Sequence, residues 1–301
     1  MGTREKEQHF FLRPRILIAV ISIIVCSIKP SLLEDFRINV EKTIGAAYEL
    51  IVIDNRNSSK GLCQVYNEGL HQASHDLICF CHEDILFNTS DWGIELKKVF
   101  DKHTDLGLVG VCGATYKSAY PTPWISVPTD YYRANITQEE RDGSLSHRQI
   151  LGNGDYSGVV VLDGCFIAGK KEIFEEYRWN ESLLKNFHLY DMDICLRVGE
   201  KHVIAVCNNI GLIHRSLGGF DKSWLSESEL FHSYYKTRLP ISKLVTPAAL
   251  KMLECYSLIS YINRLLELKE PKSKIAYFLF KLWMYSPFSR NTLSMTKRFF
   301  E

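Results

Sequence analysis

The alternation of apolar runs with helix-period segments is the feature that most constrains the fold of this chain. Four strand-like apolar runs lie at 15–27, 48–55, 75–81 and 106–113. The segments between them place apolar residues at helical spacing, and the first such segment opens at Pro30 and closes at Gly45. Alternating strands and helices predict an α/β fold, a parallel sheet with right-handed crossovers.

Polar residues stand at the ends of the predicted strands. Ser27 and Asp54 end the first and second strands, and the third runs into His82-Glu83-Asp84. Ligands of parallel sheets bind beyond the carboxyl ends of the strands, so Ser27, Asp54 and Asp84 are expected along one edge. The segment from His82 to Asp84 is therefore a candidate metal or phosphate site, with a solvated acidic turn as the alternative.

Composition excludes some classes of function. The 301 residues are 46% hydrophobic and 24% charged, which is ordinary for a globular protein, and the formal net charge is +1. A net charge so close to zero gives no electrostatic reason to expect nucleic acid as a partner. The nine cysteines form no Cys-x-x-Cys pair, which disfavours zinc. Together with a polar N-terminus that lacks a secretory pattern, they indicate a reducing cytoplasm.

The second half of the chain has a less regular pattern. Residues 114–156 lose the strand and helix alternation and are expected to form a long loop. Strand character returns on both sides of an Asp163-Gly164 turn, and the chain is largely helical from about Trp224. The stretch "KIAYFLFKLWMYSPFSR" combines aromatic and basic side chains. It is expected either to lie on a membrane surface or to pack onto the main domain.

Several segments, taken in order, resemble a known enzyme family. They are "YELIVIDN", "VYNEGLHQASHDLICFCHEDILF", "LDGCFIAGKKEIF", "FHLYDMDICLR" and "IHRSLGGF". Together they resemble GT-A fold nucleotide-sugar glycosyltransferases of the inverting family 2-like group, over residues 16–235. The resemblance implies a Rossmann-like, mostly parallel sheet flanked by helices, with a helical C-terminal extension.

The resemblance also implies an organisation for the whole chain. Residues 1–14 would be an N-terminal extension, and residues 15–235 would form the glycosyltransferase domain. Within that domain, residues 15–112 would be the nucleotide-binding half and residues 113–235 the acceptor half. Residues 236–301 would form a helical C-terminal region.

The resemblance assigns metal binding to the segment after the third strand. Family members carry an Asp-x-Asp signature there, and the flanking apolar residues align His82 with its first aspartate and Asp84 with its last. Asp84 would hold Mn²⁺ or Mg²⁺, which also takes the donor phosphates. His82 departs from the pattern and would either favour Mn²⁺ as a ligand or contact the donor. His214, after the last strand, would complete the metal site.

The resemblance also implies residues that bind the nucleotide-sugar donor. Asp54 would bind the nucleobase or ribose, with an Asx turn as the alternative. Asn67 lies in a segment similar to the family's Arg-Asn-x-Gly, although Tyr66 stands where the family has arginine. Asp163 would bind sugar hydroxyls, with a simple hairpin turn as the alternative. The implied donor-binding set comprises Ser27, Asp54, Asn67, His82, Asp84, Asp163 and Arg215.

The segment "YDMDICLR" resembles the family's Glu-Asp-x-Asp and supplies the candidate catalytic residue. Asp191 would be the general base that removes the acceptor hydroxyl proton, and a helix N-cap is the alternative. Tyr190 stands where the family has glutamate. Asp193 is expected to form a structural ion pair with Arg197, four residues along the helix. The implied acceptor-side residues are Trp124, His188 and Tyr190.

The implied activity is metal-dependent transfer of a hexosyl group, with inversion, from a nucleotide sugar to a glycan or lipid-linked acceptor. Surface polysaccharide synthesis is the implied role, in the cytoplasm with peripheral contact at the inner membrane face. A non-catalytic nucleotide- or sugar-binding module on the same fold is the alternative. A dehydrogenase is disfavoured, because "CSIKPSLLED" after the first strand lacks the Gly-x-Gly-x-x-Gly phosphate loop.

Overall fold

The structure of this chain is a computed structural model that describes residues 20–58, 60–216, 218–243 and 245–301. The predicted N-terminal extension at 1–14 and the first part of the first apolar run lie outside the described residues. None of the described helices is both long and apolar enough to cross a membrane.

A seven-stranded sheet forms the centre of the molecule. In spatial order its strands are β10 (Tyr156–Val159), β13 (Val203–Cys207), β5 (Leu106–Gly110), β12 (Phe166–Lys170), β3 (Leu77–His82), β1 (Val20–Ser27) and β2 (Ala47–Asp54). The predicted strands β1, β2 and β3 pair in parallel, as do β5 and β13. Strand β12 enters antiparallel between β3 and β5, and β10 pairs antiparallel with β13. The α/β architecture is confirmed, but half of the neighbouring pairs are antiparallel.

Helices cover both faces of this sheet, which explains why its strands read as continuous apolar runs. Along β1, Ile24 packs into one core cluster, whereas Ile23 and Val25 pack into the other. The helices of this part are α1 (Pro30–Thr43), α2 (Leu62–Gln72), α3 (Trp92–Lys102), α4 (Lys171–Glu176) and α5 (Tyr190–Val198). All nine cysteines are free, and Cys79 and Cys81 are buried core residues of β3.

A second sheet takes two whole strands from the region that the sequence predicted as a long loop. Its strands are β11 (Val161–Leu162), β6 (Cys112–Ala114), β8 (Tyr132–Glu139), β14 (Leu212–His214) and β4 (Ile85–Phe87), with β9 (Leu145–Ile150) pairing with β8. The loop prediction for 114–156 was therefore wrong for 132–139 and 145–150, which form β8 and β9. Strand β9 is largely exposed and polar, so the β8–β9 hairpin lacks the alternation that normally marks a half-buried strand.

The C-terminal region packs onto the main domain. It contains α6 (Lys222–Tyr234), α7 (Pro247–Glu267), α8 (Lys272–Tyr285) and α9 (Arg290–Phe300), and a short strand β15 (Ile241–Ser242) pairs with β7 (Tyr116–Lys117). Leu258, Ile262 and Leu279 belong to the same core cluster as Ile24 of the central sheet. Helical character in this region is confirmed.

Candidate active site

The strand register places the predicted polar residues at one edge of the sheet. Ser27 at the end of β1 lies opposite Asp54 at the end of β2, and His82 at the end of β3 lies opposite Cys26. Glu83 turns back into the protein, where its carboxylate accepts hydrogen bonds from the Ser27 hydroxyl at 2.7 Å and the Lys29 backbone N–H at 2.8 Å. This carboxylate therefore anchors the start of α1, and the side chains on either side of it remain available at the edge.

His82, Asp84 and His214 form a cluster at this edge. His82 Nδ1 lies 3.9 Å from Asp84 Oδ1, and His214 Nε2 lies 3.6 Å from the same oxygen. Strand β14 brings His214 there because it pairs with β4, in which Ile85 is the register partner of His214. The second sheet thus unites residues that are far apart in the sequence.

The chemistry of this cluster fits a divalent cation. One ligand atom from each of the three residues lies within 4.8 Å of the others. Asp84 Oδ1 and His214 Nε2 are buried and have no hydrogen-bond partner among the described residues, although buried polar atoms are normally satisfied. Burial lowers the pKa of His82, only partly opposed by Asp84, which keeps the imidazole neutral as ligation requires. Two imidazoles with one carboxylate suit Mn²⁺ better than Mg²⁺.

The cluster lines a cavity of about 240 Å³. Asp163 and Trp124 meet in its wall, where the Trp124 indole N–H donates a hydrogen bond of 2.8 Å to Asp163 Oδ2. Burial opposes ionisation of Asp163, but His214, the Cys165 backbone N–H and Trp124 together hold its pKa below the usual value. Asp163 is therefore a fixed, charged acceptor of hydrogen bonds in the cavity. It connects β11 and β12, which belong to different sheets, so its turn is not a hairpin.

Asp191 lines the same cavity from the first turn of α5. The chain enters this helix through Leu189, which has a left-handed φ of 63°, a conformation that costs energy for a branched residue. Asp191 Oδ2 accepts a hydrogen bond from the Gly164 backbone N–H at 3.1 Å. Burial, and secondarily the charge of Asp163, raise the pKa of Asp191 to about 7. A carboxyl group with this pKa can accept a proton near neutral pH.

A family model described as "Glycosyltransferase like family" matches residues 22–234. The chain belongs to this glycosyltransferase family. The match spans both sheets and every residue of the cavity named above. No curated protein matches the sequence.

Solved structures of glycosyltransferases share the fold. The crystal structure of S. aureus TarS 1-349 is 11% identical with a TM-score of 0.52, covering 92% of this chain and 91% of that one, and TarS 1-349 was also solved with UDP-GlcNAc. A mannosyltransferase from Pyrobaculum calidifontis, in complex with GDP-Man and Mn²⁺, is 12% identical with a TM-score of 0.50, covering 92% and 78%. The crystal structure of GalNAc-T7 with UDP, GalNAc and Mn²⁺ is 10% identical with a TM-score of 0.49. The match covers 89% of this chain and 55% of that one. The TarS and mannosyltransferase structures confirm the GT-A fold.

Two more residues predicted from the sequence, Tyr190 and His188, line the cavity of this glycosyltransferase. The Tyr190 hydroxyl lies 2.6 Å from His82 Nε2 and 3.1 Å from the Gly164 carbonyl oxygen. Tyr190 and His82 are both departures from the family pattern, and the structure puts them in direct contact. His188 also lines the cavity, and its backbone N–H donates to Glu227 at 3.1 Å.

Other predicted donor-binding residues do not line the cavity of the glycosyltransferase. The Asn67 side chain bonds to both the backbone carbonyl and the N–H of Trp179, at 2.9 and 3.1 Å. Arg215 pairs with Asp35 at 2.7 Å. Asp54 forms an exposed pair with Arg56, which lowers the pKa of Asp54 to about 2.

The cavity also contains residues that were not predicted from the sequence, among them Phe187, Arg148 and Gln138. Phe187 is half-exposed with its ring 5.6 Å from that of His82, and Arg148 enters the wall from β9. Gln138 donates hydrogen bonds to the carbonyl oxygens of His214 and Ser216, at 2.9 and 2.7 Å. Arg148 and Gln138 lie in the β8–β9 hairpin, whose sequence has no strand or helix periodicity to indicate them. The only feature of the sequence that could have indicated Phe187 is its position three residues before Tyr190.

Proposed function

We propose that this glycosyltransferase transfers a hexosyl group from a nucleotide-sugar donor to an acceptor hydroxyl, with inversion at the sugar carbon. The observation that carries the proposal is the joint placement of the His82–Asp84–His214 cluster and Asp191 around one cavity. The cluster offers ligands for a cation that binds diphosphate. Asp191 offers a base with a pKa near neutrality in the same space.

Asp191 acts as the general base in this proposal. Its carboxylate takes the proton of the acceptor hydroxyl while that oxygen forms a bond to the sugar C1 and the bond from C1 to the diphosphate breaks. Attack from the face opposite the diphosphate inverts the configuration. Asp163 orients the sugar through its hydroxyls, because Trp124 and the Cys165 N–H hold its carboxylate in place. A bound Mn²⁺ or Mg²⁺ would neutralise charge on the departing diphosphate as a Lewis acid.

The nucleoside is proposed to lie along the strand edge beside this cavity. Ser27 and Asp54 are register partners there, next to His82 at the end of β3. The cavity is smaller than the roughly 300–1,000 Å³ of typical ligand pockets, which fits a sugar inside and a nucleoside on the open edge. Arg148, rather than Arg215, is the basic side chain that the cavity offers to a phosphate.

The acceptor is proposed to be a glycan or lipid-linked saccharide at an anionic membrane face, in surface polysaccharide synthesis. Residues 272–300 contain six lysines and arginines and no acidic residue. Tyr277, Phe280 and Met284 follow helical spacing along α8, and each side chain is more than half exposed. Phe288 and Phe300, in the same basic segment, are also exposed. Aromatic rings among cations match the interface of a membrane rich in anionic lipids.

A cytoplasmic location is proposed on the basis of the thiols. All nine cysteines are free, including Cys112 and Cys165, which lie close enough to share a cluster with Asp163. Free neighbouring thiols are typical of proteins in reducing compartments.

Calorimetric titration with UDP, GDP and dTDP, each with and without Mn²⁺, tests the proposal. We expect one nucleotide to bind in the presence of Mn²⁺, and Asp84→Ala to abolish that binding. Asp142→Ala, an exposed carboxylate in the turn between β8 and β9, is the matched control and should bind as wild type does. Transfer of the sugar from the matching donor is then measured directly. Binding of none of the three nucleotides by the folded protein would contradict the proposal.

A further inference from the structure

The contact between Tyr190 and His82 constrains the protons of both side chains. The Tyr190 side chain is 4% exposed, and its hydroxyl oxygen lies 2.6 Å from His82 Nε2 and 3.1 Å from the Gly164 carbonyl oxygen. We infer that Tyr190 fixes His82 in the tautomer that carries its proton on Nε2, and thereby presents a bare Nδ1 to the metal cluster. The inference rests on the proposed function and specifies how its cation is held.

Counting protons supports this assignment. The Gly164 carbonyl can only accept a hydrogen bond, and the tyrosine hydroxyl has one proton to give. Both contacts are hydrogen bonds only if Tyr190 donates to Gly164 and accepts from the N–H of His82 Nε2. A neutral imidazole carries one N–H, so Nδ1 then holds a lone pair. The other tautomer would take the Tyr190 proton away from the buried Gly164 carbonyl and break that hydrogen bond.

The unprotonated nitrogen of His82, Nδ1, lies near the other residues of the metal cluster. His82 Nδ1 is 3.9 Å from Asp84 Oδ1, the buried oxygen that also lies 3.6 Å from His214 Nε2. A hydrogen bond to the distal nitrogen of a histidine ligand fixes its tautomer and orientation. Tyr190 is therefore a positioning residue that acts on the cation through His82, and its hydroxyl is not free for an acceptor.

Packing outside the cluster holds the Tyr190 hydroxyl in place. Its ring lies between those of Tyr66 and Trp179, with centroid distances of 5.7 and 5.5 Å. A Cβ atom at Gly164 would come within 2.1 Å of the hydroxyl oxygen, so only glycine leaves room for it. The position of the hydroxyl is thus set before any ligand binds.

Nitrogen-15 NMR of the metal-free protein tests the tautomer. Histidine ring nitrogens are recorded at pH 8 in wild type, Tyr190→Phe and Tyr66→Phe, with His82→Gln to assign the signals of His82. We expect a protonated Nε2 in wild type and in Tyr66→Phe, and a shift towards protonated Nδ1 or a mixture in Tyr190→Phe. Tyr66→Phe is the matched control, because it removes a neighbouring buried hydroxyl that bonds to neither His82 nor Gly164 and keeps the ring that packs on Tyr190. A protonated Nδ1 in wild type would overturn the inference.

Calorimetric titration of the same variants with Mn²⁺ and with Mg²⁺ tests the consequence. Tyr190→Phe should weaken Mn²⁺ binding by about 10–100-fold, whereas Tyr66→Phe should change it less than twofold. Equal Mn²⁺ affinity in wild type and Tyr190→Phe would overturn the inference and leave the proposed function standing. A wild-type protein that binds no Mn²⁺ but shows the protonated Nε2 would keep the tautomer assignment and refute the metal part of the proposed function.

Discussion

Asp191 and Asp193 stand two residues apart at the start of α5 in opposite electrostatic surroundings. Asp191 lines the cavity, where burial and Asp163 raise its pKa to about 7. Asp193 is fully buried and bonded to Arg197 at 2.7 Å and to the Tyr235 hydroxyl at 2.7 Å. The first turn of α5 therefore holds two carboxylates with opposite effects. A charged Asp191 destabilises the fold, whereas a charged Asp193 stabilises it.

We predict opposite effects of the same substitution at these two positions. Asp191→Asn should reduce sugar transfer by about 10²–10⁴-fold, because it removes the general base. It should also stabilise the protein at pH 8 by roughly 1–3 kcal/mol, because burying a charged carboxylate there is costly and the amide avoids that cost. Asp193→Asn should destabilise by about 3–5 kcal/mol, because it leaves the Arg197 charge unpaired. Denaturant unfolding and transfer assays measure both effects.

The sign of the Asp191 effect depends on pH. The folded-state pKa is raised above that of the unfolded chain, so the folded protein binds the extra proton between about pH 4 and 7, and stability falls as pH rises through this window. The advantage of Asp191→Asn should therefore vanish at pH 4. An advantage that is equal at pH 4 and pH 8 would contradict the raised pKa.

The rate of transfer should follow the ionisation of Asp191. With donor, acceptor and Mn²⁺ saturating, kcat should fall about tenfold per pH unit below roughly pH 6 and level off above pH 8, because only the carboxylate accepts a proton. Burial lowers the pKa of His82, so this ligand takes up its proton at a lower pH than Asp191 does. A flat profile from pH 5 to 8 would exclude Asp191 as the base.

Glu83 should matter for stability and not for the metal. Glu83→Ala removes the acceptor of the Ser27 hydroxyl and of the Ile28 and Lys29 N–H groups, and should cost about 2–3 kcal/mol. Glu83→Gln keeps an acceptor and should cost less. Mn²⁺ affinity of both folded variants, measured by calorimetry, should match wild type. A loss of Mn²⁺ binding in both would instead make Glu83 a ligand.

Asn67 should stabilise the backbone at Trp179 and should not bind the sugar donor. Asn67→Ala should destabilise by about 1–3 kcal/mol, because the Trp179 N–H loses its partner and the Trp179 carbonyl keeps only the bond from the Glu181 N–H. Asn39 makes the same two bonds to Phe87, at 2.9 and 2.7 Å, and Asn39→Ala is the control with an equal expected loss. Nucleotide affinity should be unchanged in both. Weaker nucleotide binding in Asn67→Ala alone would restore the sequence-based assignment to the donor site.

The exposed apolar face of α8, formed by Tyr277, Phe280 and Met284, should bind anionic lipid. Wild-type protein should sediment with vesicles that contain phosphatidylglycerol and less with pure phosphatidylcholine, and salt should weaken the binding. Phe280→Ser with Met284→Ser should reduce binding at least tenfold. Leu145→Ser, which removes a similarly exposed apolar side chain from β9, is the control. Equal sedimentation of all variants would refute the proposed contact.

The sequence alone determined the α/β class, the strands that lead to Ser27, Asp54 and His82, and the ion pair of Asp193 with Arg197. These features follow from local periodicity, from the direction of parallel strands and from i,i+4 spacing on a helix. Each needs only the residues close by in the sequence.

Tertiary structure decided which polar residues share the cavity. His214 reaches Asp84 through the register of β14 with β4, and Tyr190 reaches His82 across 108 residues. Asn67 and Arg215 have suitable chemistry, but closer partners take up their side chains. A side chain's direction depends on which of its possible partners the packing brings nearest. These contacts span long sequence separations, and no local pattern encodes them.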